Sequence, residues 1–295
     1  MPGDYQLVEL RNGLRTLYSS RYGEKMHPGL GPQAEAELLY VRQLEICERL
    51  RAAKGEFIIW DIGLGGAANA VATLLATKEI SGQLRLVSFD NTNEPLEFAL
   101  KNSAALNYPV GYEKEIGELL RTRRVEFANG KLRVNWEFRL VDFPNWLEHR
   151  SPTRQVSAEH AGSETGAPPP HAIFFDAFSP AKNPAMWTLP VFQNLFRALD
   201  PQRPCALTTY SRSTLIRATL LLAGFFVGAG QASGMKEETT IAANDLRLIK
   251  APLDSRWLER AARSDSALPL IEPVYRRAKL PPEILARLQA HPQFA

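Results

Sequence analysis

The stretch FIIWDIGLGGAANAVATLLATK, from Phe57 to Lys78, opens as a continuous apolar run, breaks into glycines and resumes as a helix former. A short run of that kind before a turn predicts a strand buried on both faces, and the Ala- and Leu-rich part behind it predicts a helix. Between them Gly63, Gly65 and Ala68 fit the pattern G-x-G-x-x-G/A. Glycine there permits a tight turn and a close approach of backbone to ligand, and the helix start beyond offers free N–H groups to an anion. The pattern leaves two ligands open, a dinucleotide pyrophosphate and the carboxylate of S-adenosylmethionine (SAM). A tight turn without a ligand is the plainer reading.

The same alternation continues outward. LRLVSF predicts a second buried strand ending at Asp90, with Asn93 as cap of the helix EPLEFALKNSAAL. VEF, Asn129-Gly130 and KLRVNWEFRLVD predict a hairpin whose second strand alternates apolar and polar residues from Leu132 to Leu140 and ends at Asp142. AIFF is a fourth buried strand, running into Asp176. CALTTY is a fifth, followed by the helix TLIRATLLLA with Gly224 as its stop, and FFVGAG and TTIAA predict a closing antiparallel pair. Strands alternating with helices predict an α/β fold with a doubly wound, Rossmann-like sheet. Ahead of it stand a hairpin, QLVEL and LRTLYS around Arg11-Asn12-Gly13, and a helix from Pro32 to about Ala53. The expected organisation is a domain over 1–250, with the N-terminal hairpin and helix in 1–55, and a helical C-terminal extension over 251–295. Residues 151–170, rich in Ser, Pro, Gly and Glu, read as a flexible insert.

With 45% hydrophobic and 23% charged residues a packed core is expected. The longest uncharged apolar run, Ala218 to Gly230, falls short of the roughly 18 residues of a membrane span. The start MPGDYQLVELRNG lacks the apolar centre of a signal peptide, so a cytoplasmic protein is expected. Cys47, Cys205 and five scattered histidines give neither a metal spacing nor a disulfide framework, and no metal is expected. A net charge of +3 admits a nucleic-acid partner without demanding one. The clusters Arg121-Thr122-Arg123-Arg124 and Arg276-Arg277 with Lys279 are either phosphate contacts or solvated faces.

Ligands of a doubly wound sheet bind outside the carboxyl ends of its strands. Asp61, Asp90, Asp142 and Asp176 all stand at such ends. Asp90 suits a ribose diol, because a carboxylate accepts from two adjacent hydroxyls. Asp142 followed by Phe143 suits an adenine, the carboxylate accepting from the amino group while the ring packs on its face; capping of the next helix is the plainer reading. In HAIFFDAFSPAKNPAMW, from His171 to Trp187, Asn183-Pro184 is a helix start, Met186 and Trp187 read as core, and Lys182 is either solvated or an anion contact. Asp176 directly follows a buried strand and must be hydrogen-bonded or face the crevice.

DAFSPAKNPAMW resembles the D-(A/G)-F-(S/A)-P-x-K-N-P-x-x-W signature of the MnmC-type tRNA methyltransferases. YGEKMHPGLGPQAEA is similar to the G-E-x-x-H-x-x-x-G-x-x-E-(E/A) stretch of their stand-alone members. TYSRSTLIRATLLLAGF and GMKEETTIA match later stretches, in order, so that the resemblance runs from about Leu7 to Ala243. DIGLGGAAN departs from the usual glycine loop by its extra small residues, and the 151–170 insert and the tail past Lys250 lie outside the family pattern. The resemblance implies a class I SAM-dependent methyltransferase. It would methylate the amine of 5-aminomethyl(-2-thio)uridine at the wobble position, in the anticodon region of tRNA. Asp61, Gly63, Gly65 and Asn69 would line the methionine part of SAM, Asp90 the ribose and Asp142 the adenine. Asp176 would face the substrate amine, with Lys182, Tyr18, Glu24 and His27 on nearby walls; for the last three, N-terminal packing is the plainer reading. No second, FAD-binding oxidase domain is read in the chain, so methylation alone is expected. Of the rivals, an NAD-dependent oxidoreductase leaves Asp142 and the loop after Asp176 without a task. A polyamine aminopropyltransferase shares the fold but would normally carry a further acidic residue where Ser179 stands. The third rival is a SAM-fold RNA-binding protein without turnover.

Overall fold

Strands apolar on both faces need cover on both faces, and the chain supplies it. The computed structural model describes residues 3–149, 166–232 and 237–294. Strands β1 (Tyr5–Glu9), β2 (Arg15–Ser19) and β3 (Glu24–Lys25) form a small antiparallel sheet. Helices α1 (Pro32–Ala36) and α2 (Ile46–Ala52) lead into β4 (Glu56–Ile62), α3 (Ala68–Thr77) and β5 (Gly82–Asp90). Next come α4 (Glu94–Lys101), α5 (Ser103–Leu106), α6 (Glu113–Thr122), β6 (Arg124–Asn129), β7 (Leu132–Leu140) and α7 (Phe143–His149). The second half holds β8 (Ala172–Phe175), α8 (Leu189–Arg197), β9 (Ala206–Thr209), α9 (Thr214–Ala223), β10 (Phe226–Gly230) and β11 (Thr239–Ala243), then α10 (Ser255–Arg263) and α11 (Pro282–Gln289).

The main sheet runs β6-β7-β5-β4-β8-β9-β11-β10. The five strands from β7 to β9 are parallel, and β6, β11 and β10 are antiparallel to their neighbours. From β4 the chain proceeds outward through β5 and β7, then returns to lay β8 on the other side of β4. The strand order reverses there, and a crevice opens at the carboxyl end of β4. Alternate residues of β4 feed the two cores: Phe57 and Ile59 point to one, Ile58, Trp60 and Ile62 to the other. The second core also takes in Trp257, Leu258 and Ala261 of α10 and Leu288 of α11, so the C-terminal segment is packed on the sheet.

Several expectations are corrected. The single helix over 32–53 is interrupted: Glu37–Arg42 winds as a π-helix and Glu45 is left-handed at φ 51°. The wider turn brings the Gln43 side chain to the sheet, where it accepts from Gln231 N at 2.6 Å and Thr239 Oγ1 at 3.0 Å and donates to Thr208. Asn93 sits at the start of α4 without capping it; its Nδ2 donates to Glu97 instead. Helix α6 adds to the expected elements; only Ile116 and Leu119 of its ten residues are buried, among charges and a glycine, so its apolar pattern is thin. Of the 151–170 insert, 151–165 lie outside the described residues, as do Gly234, Met235 and Lys236 of GMKEETTIA. The rest of the insert is docked: Ala167 is buried, and the Pro168 and Pro169 carbonyls accept from Trp60 Nε1 at 3.0 Å and Arg203 Nη1 at 2.7 Å.

Candidate active site

At the end of β4 the chain turns with Gly63 at φ 92°, Gly65 at 51° and Ala67 at 65°. The Gly63 and Leu64 amides donate to Phe89 O at 2.9 and 3.1 Å, tying the turn to β5. A Cβ on Gly63 would lie 2.6 Å from the Asp176 carbonyl oxygen, and one on Gly66 would lie 2.5 Å from the Tyr108 hydroxyl. Gly63 therefore lets the turn after β4 lie against the loop after β8, and Gly66 lets it lie against Tyr108. Gly65 N donates to Asp90 Oδ2 at 2.9 Å, while Asn91 N and Thr92 N donate to Oδ1 at 2.8 and 3.3 Å. Burial pushes the Asp90 carboxyl up to about 6, against the lowering effect of those N–H donors.

A cavity of about 680 Å³ opens at these strand ends. Its wall brings together Gly63, Gly65, Asp90, Asp142, Phe143 and Asp176 with Glu24 and His27 of the N-terminal segment. Asp142 also caps α7, its Oδ1 accepting from Asn145 N at 3.0 Å, so the plainer reading holds beside its place in the wall. Glu24 likewise has a packing task. It accepts from the Ser179 amide at 3.1 Å and from the Ser179 hydroxyl, latching the small sheet to the loop after β8.

Asp61 and Asn69 are not in the wall but behind it. Strand β4 runs through Asp61, and alternation turns this side chain into the interior, where it is fully buried. Its Oδ2 accepts from Ser88 Oγ at 3.0 Å, and Ser88 Oγ accepts from Trp136 Nε1 at 3.0 Å. Asn69, on the first turn of α3, donates from Nδ2 to Asp176 Oδ2 at 2.8 Å and so holds the carboxylate rather than facing the cavity. Tyr18 and Lys182 stand outside the wall too. The Tyr18 hydroxyl and Lys182 Nζ both lie 3.9 Å from where a Cβ on Gly23 would be, and Lys182 is exposed.

Around Asp176 the charges are close. His27 Nε2 is 3.7 Å from Asp176 Oδ2, and His27 Nδ1 is 3.8 Å from Glu35 Oε2. Glu35 is itself fixed by the Gly29 and Leu30 amides. Two residues missed as site residues complete the surroundings. Tyr40 and Tyr210 both have phenols pushed well up, by burial first and by the Asp176 charge next. Tyr40 falls within the helix expected from Pro32 to about Ala53, where its position gives no sign of a site. Tyr210 stands directly past β9, at another carboxyl end, and that placement was a usable signal.

Burial raises the Asp61 carboxyl to about 8, with Asp176 and Asp90 adding to the shift and the Ser88 hydrogen bond opposing it. An unfolded aspartate titrates near 3.9. Between those values the folded state holds the extra proton, so this group makes stability fall as pH rises, and Asp90 adds the same sign up to about 6. Asp61→Asn keeps the shape and cannot ionise. Relative to wild type it is expected to gain stability between about pH 5 and about pH 8, read from urea midpoints at each. A wild-type-to-variant difference independent of pH would contradict a neutral Asp61.

Among the described residues no group of three His, Cys, Asp or Glu side chains could hold a metal ion, and no helix is long and apolar enough to cross a membrane. Residues 164–245 match the family described as S-adenosyl-L-methionine-dependent methyltransferase. The tRNA 5-methylaminomethyl-2-thiouridine biosynthesis bifunctional protein MnmC of Methylibium petroleiphilum is 36% identical over 259 residues, which is 84% of this chain and 36% of that protein. The protein of the same name from Aeromonas hydrophila is 28% identical over 240 residues, 77% of this chain and 34% of its own length. The chain thus spans about a third of the length of these relatives. Among solved structures, MnmC2 from Aquifex aeolicus superposes with a TM-score of 0.65 at 24% identity, covering 97% of this chain and 84% of that one. A spermidine synthase in complex with the transition-state analogue AdoDATO gives 0.53 at 12% identity, covering 98% and 82%. The fold is the one these structures share; over most of its sequence this chain is similar to about a third of the MnmC proteins, and over residues 164–245 to the S-adenosyl-L-methionine-dependent methyltransferase family.

Proposed function

We propose that the protein transfers a methyl group from SAM to the amine of 5-aminomethyl(-2-thio)uridine at the wobble position of tRNA, in the cytoplasm, with residues 1–250 as the methyltransferase unit. The observation that carries this reading is the position of Asp176. Its main chain meets the glycine turn where no Cβ fits, and its carboxylate lines the same cavity as Gly63, Gly65 and Asp90. The residues suit SAM. The glycine turn leaves room for the methionine part. Asp90 keeps an acceptor site on Oδ2 for a ribose hydroxyl, because its Oδ1 already takes two amides. Asp142 has Oδ2 as an acceptor for adenine, while the Phe143 ring is packed in the core on Phe89 and Trp146. When bound, SAM supplies an electrophilic methyl group on a positively charged sulfur.

The chain's residues then have distinct tasks. By analogy with lysine, an alkylamine titrates near 10.4, so less than about one molecule in a thousand is neutral at pH 7. A carboxylate alone does not favour that deprotonation. In a displacement, however, the neutral amine would form the N–C bond as the C–S bond broke with its pair going to sulfur, and positive charge would move to nitrogen. Asp176, fixed by Asn69, stabilises the charge as it develops and orients the amine in line. The test is transfer of labelled methyl from SAM to tRNA bearing 5-aminomethyluridine, with nucleoside analysis. Label in 5-methylaminomethyluridine is expected. No label despite bound SAM would refute the acceptor. The spermidine synthase likeness in fold would then make polyamines the next amines to assay, and tRNA binding without transfer would favour a non-catalytic RNA-binding protein.

A further inference from the structure

We propose that Tyr22 and Phe178 form a stacking platform for the uracil ring of a single-stranded RNA nucleotide, with Arg21 as its displaceable cover. This rests on the tRNA reading given above. The two rings stack at 4.1 Å between centroids and 19° between planes, and both line the cavity that Asp176 lines. Phe178 covers one face of Tyr22. The Arg21 guanidinium lies over the Tyr22 ring, 5.6 Å from its centroid, and Arg21 is an exposed cavity residue.

The platform is built on fixed backbone. Trp187 Nε1 donates to Phe178 O at 2.8 Å, the Tyr210 hydroxyl donates to Ala177 O at 2.9 Å, and Ser179 is held by Glu24. Phe178 is thus held firmly, two residues from the carboxylate that would meet the amine. Magnitudes favour a base over the present cover. An exposed cation–π contact changes an equilibrium about two- to fivefold, whereas a base on an aromatic face changes it about five- to a hundredfold. Once displaced, Arg21 is free for a phosphate.

Charge does not separate a nucleotide from the rival amine, because Arg21 and Lys25 share the cavity wall with Asp4, Glu24, Asp90, Glu94, Asp142 and Asp176. The rings do: a uracil has a face to stack on Tyr22, and a polyamine has none. Arg21, Lys25 and Lys182, all exposed, are the cations near the platform that a phosphate could meet.

The experiment uses the full chain and a fluorescent RNA stem-loop of anticodon size with an unpaired uridine, alongside the KM for aminomethylated tRNA. Tyr22→Ala is expected to weaken stem-loop binding about tenfold, with SAM affinity and melting temperature near wild type, and Tyr22→Phe to restore binding. If Tyr22→Ala does not fold, Tyr22→Leu keeps apolar contact without the stack and is expected to show the same loss. Unchanged RNA affinity would overturn the proposal. So would a fall in stability and SAM affinity with no loss specific to RNA, because the stack would then be only a latch for the small sheet. The function and the platform fail separately. Tyr22-dependent RNA binding without methyl transfer removes the acceptor and keeps the platform, whereas methyl transfer with a wild-type KM in Tyr22→Ala does the reverse. A wild-type chain that binds no RNA removes both.

Discussion

Asp176→Asn is expected to slow methyl transfer about a hundred- to a thousandfold while leaving SAM affinity within a few-fold of wild type. The amide keeps the size of the carboxylate, and its oxygen can still accept from Asn69 Nδ2, now 2.8 Å from Asp176 Oδ2. What it lacks is the negative charge that the transition state needs beside nitrogen. His27 Nε2, 3.7 Å from the same oxygen, would lose an anionic neighbour, and the Asp61 carboxyl would lose one of the charges that raise it. The fold should change little. Asp176→Ala differs: Asn69 Nδ2 is left without its acceptor near the base of the cavity, at a cost of about 1–3 kcal/mol of stability. Single-turnover rates with saturating SAM, calorimetric SAM affinity and urea midpoints separate the two variants. A wild-type rate in Asp176→Asn would show that the charge has no part in the reaction.

The strand-end aspartates show how far the sequence can be read. Asp90, Asp142 and Asp176 stand where a carboxyl end was expected, and all three line one cavity, because strand ends in a doubly wound sheet converge whatever their separation in the chain. Asp61 was read the same way and lies inside β4 instead. The apolar run FIIW marks where the strand is buried, but the strand ends where its pairing stops. Ile62 is still in register with Phe89 and Phe175. Asn69 was given to a ligand because a motif has no third dimension. Its partner is 107 positions away, and only the close approach permitted by Gly63 brings them together. Tyr40 illustrates the same limit from the other side: an apolar helix position says that a ring is buried, not that its hydroxyl faces a carboxylate. The interruption at Glu37–Arg42 was invisible for a related reason, since the partners of Gln43 belong to β9, β11 and the loop between β10 and β11.

That close approach makes Gly63 a sensitive backbone position in the turn. Gly63→Ala is expected to lose about 2–5 kcal/mol, combining the strain of a left-handed non-glycine residue with the overpacking of a filled contact. The added Cβ would meet Asp176 O at 2.6 Å, Asp176 C at 2.9 Å and Ala177 N at 3.3 Å, all of them backbone atoms that cannot swing aside. Relief requires the turn after β4 and the loop after β8 to part, which moves Asp176 away from Asn69 and misaligns the wall that Gly65 and Asp90 share. SAM affinity should therefore fall with stability. Gly65→Ala is the control. Its φ of 51° carries the left-handed strain, but the atom its Cβ would meet is Met26 Sδ at 3.3 Å, on a side chain that can turn away. Its expected loss is about 1–2 kcal/mol, from strain alone. Urea denaturation ranks the pair, and calorimetry with SAM reads the site. If Gly63→Ala were as stable as Gly65→Ala, the contact between the two loops would not be the constraint that fixes Asp176 in the cavity, and the geometry behind its role would have to be rebuilt on Asn69 and His27 alone.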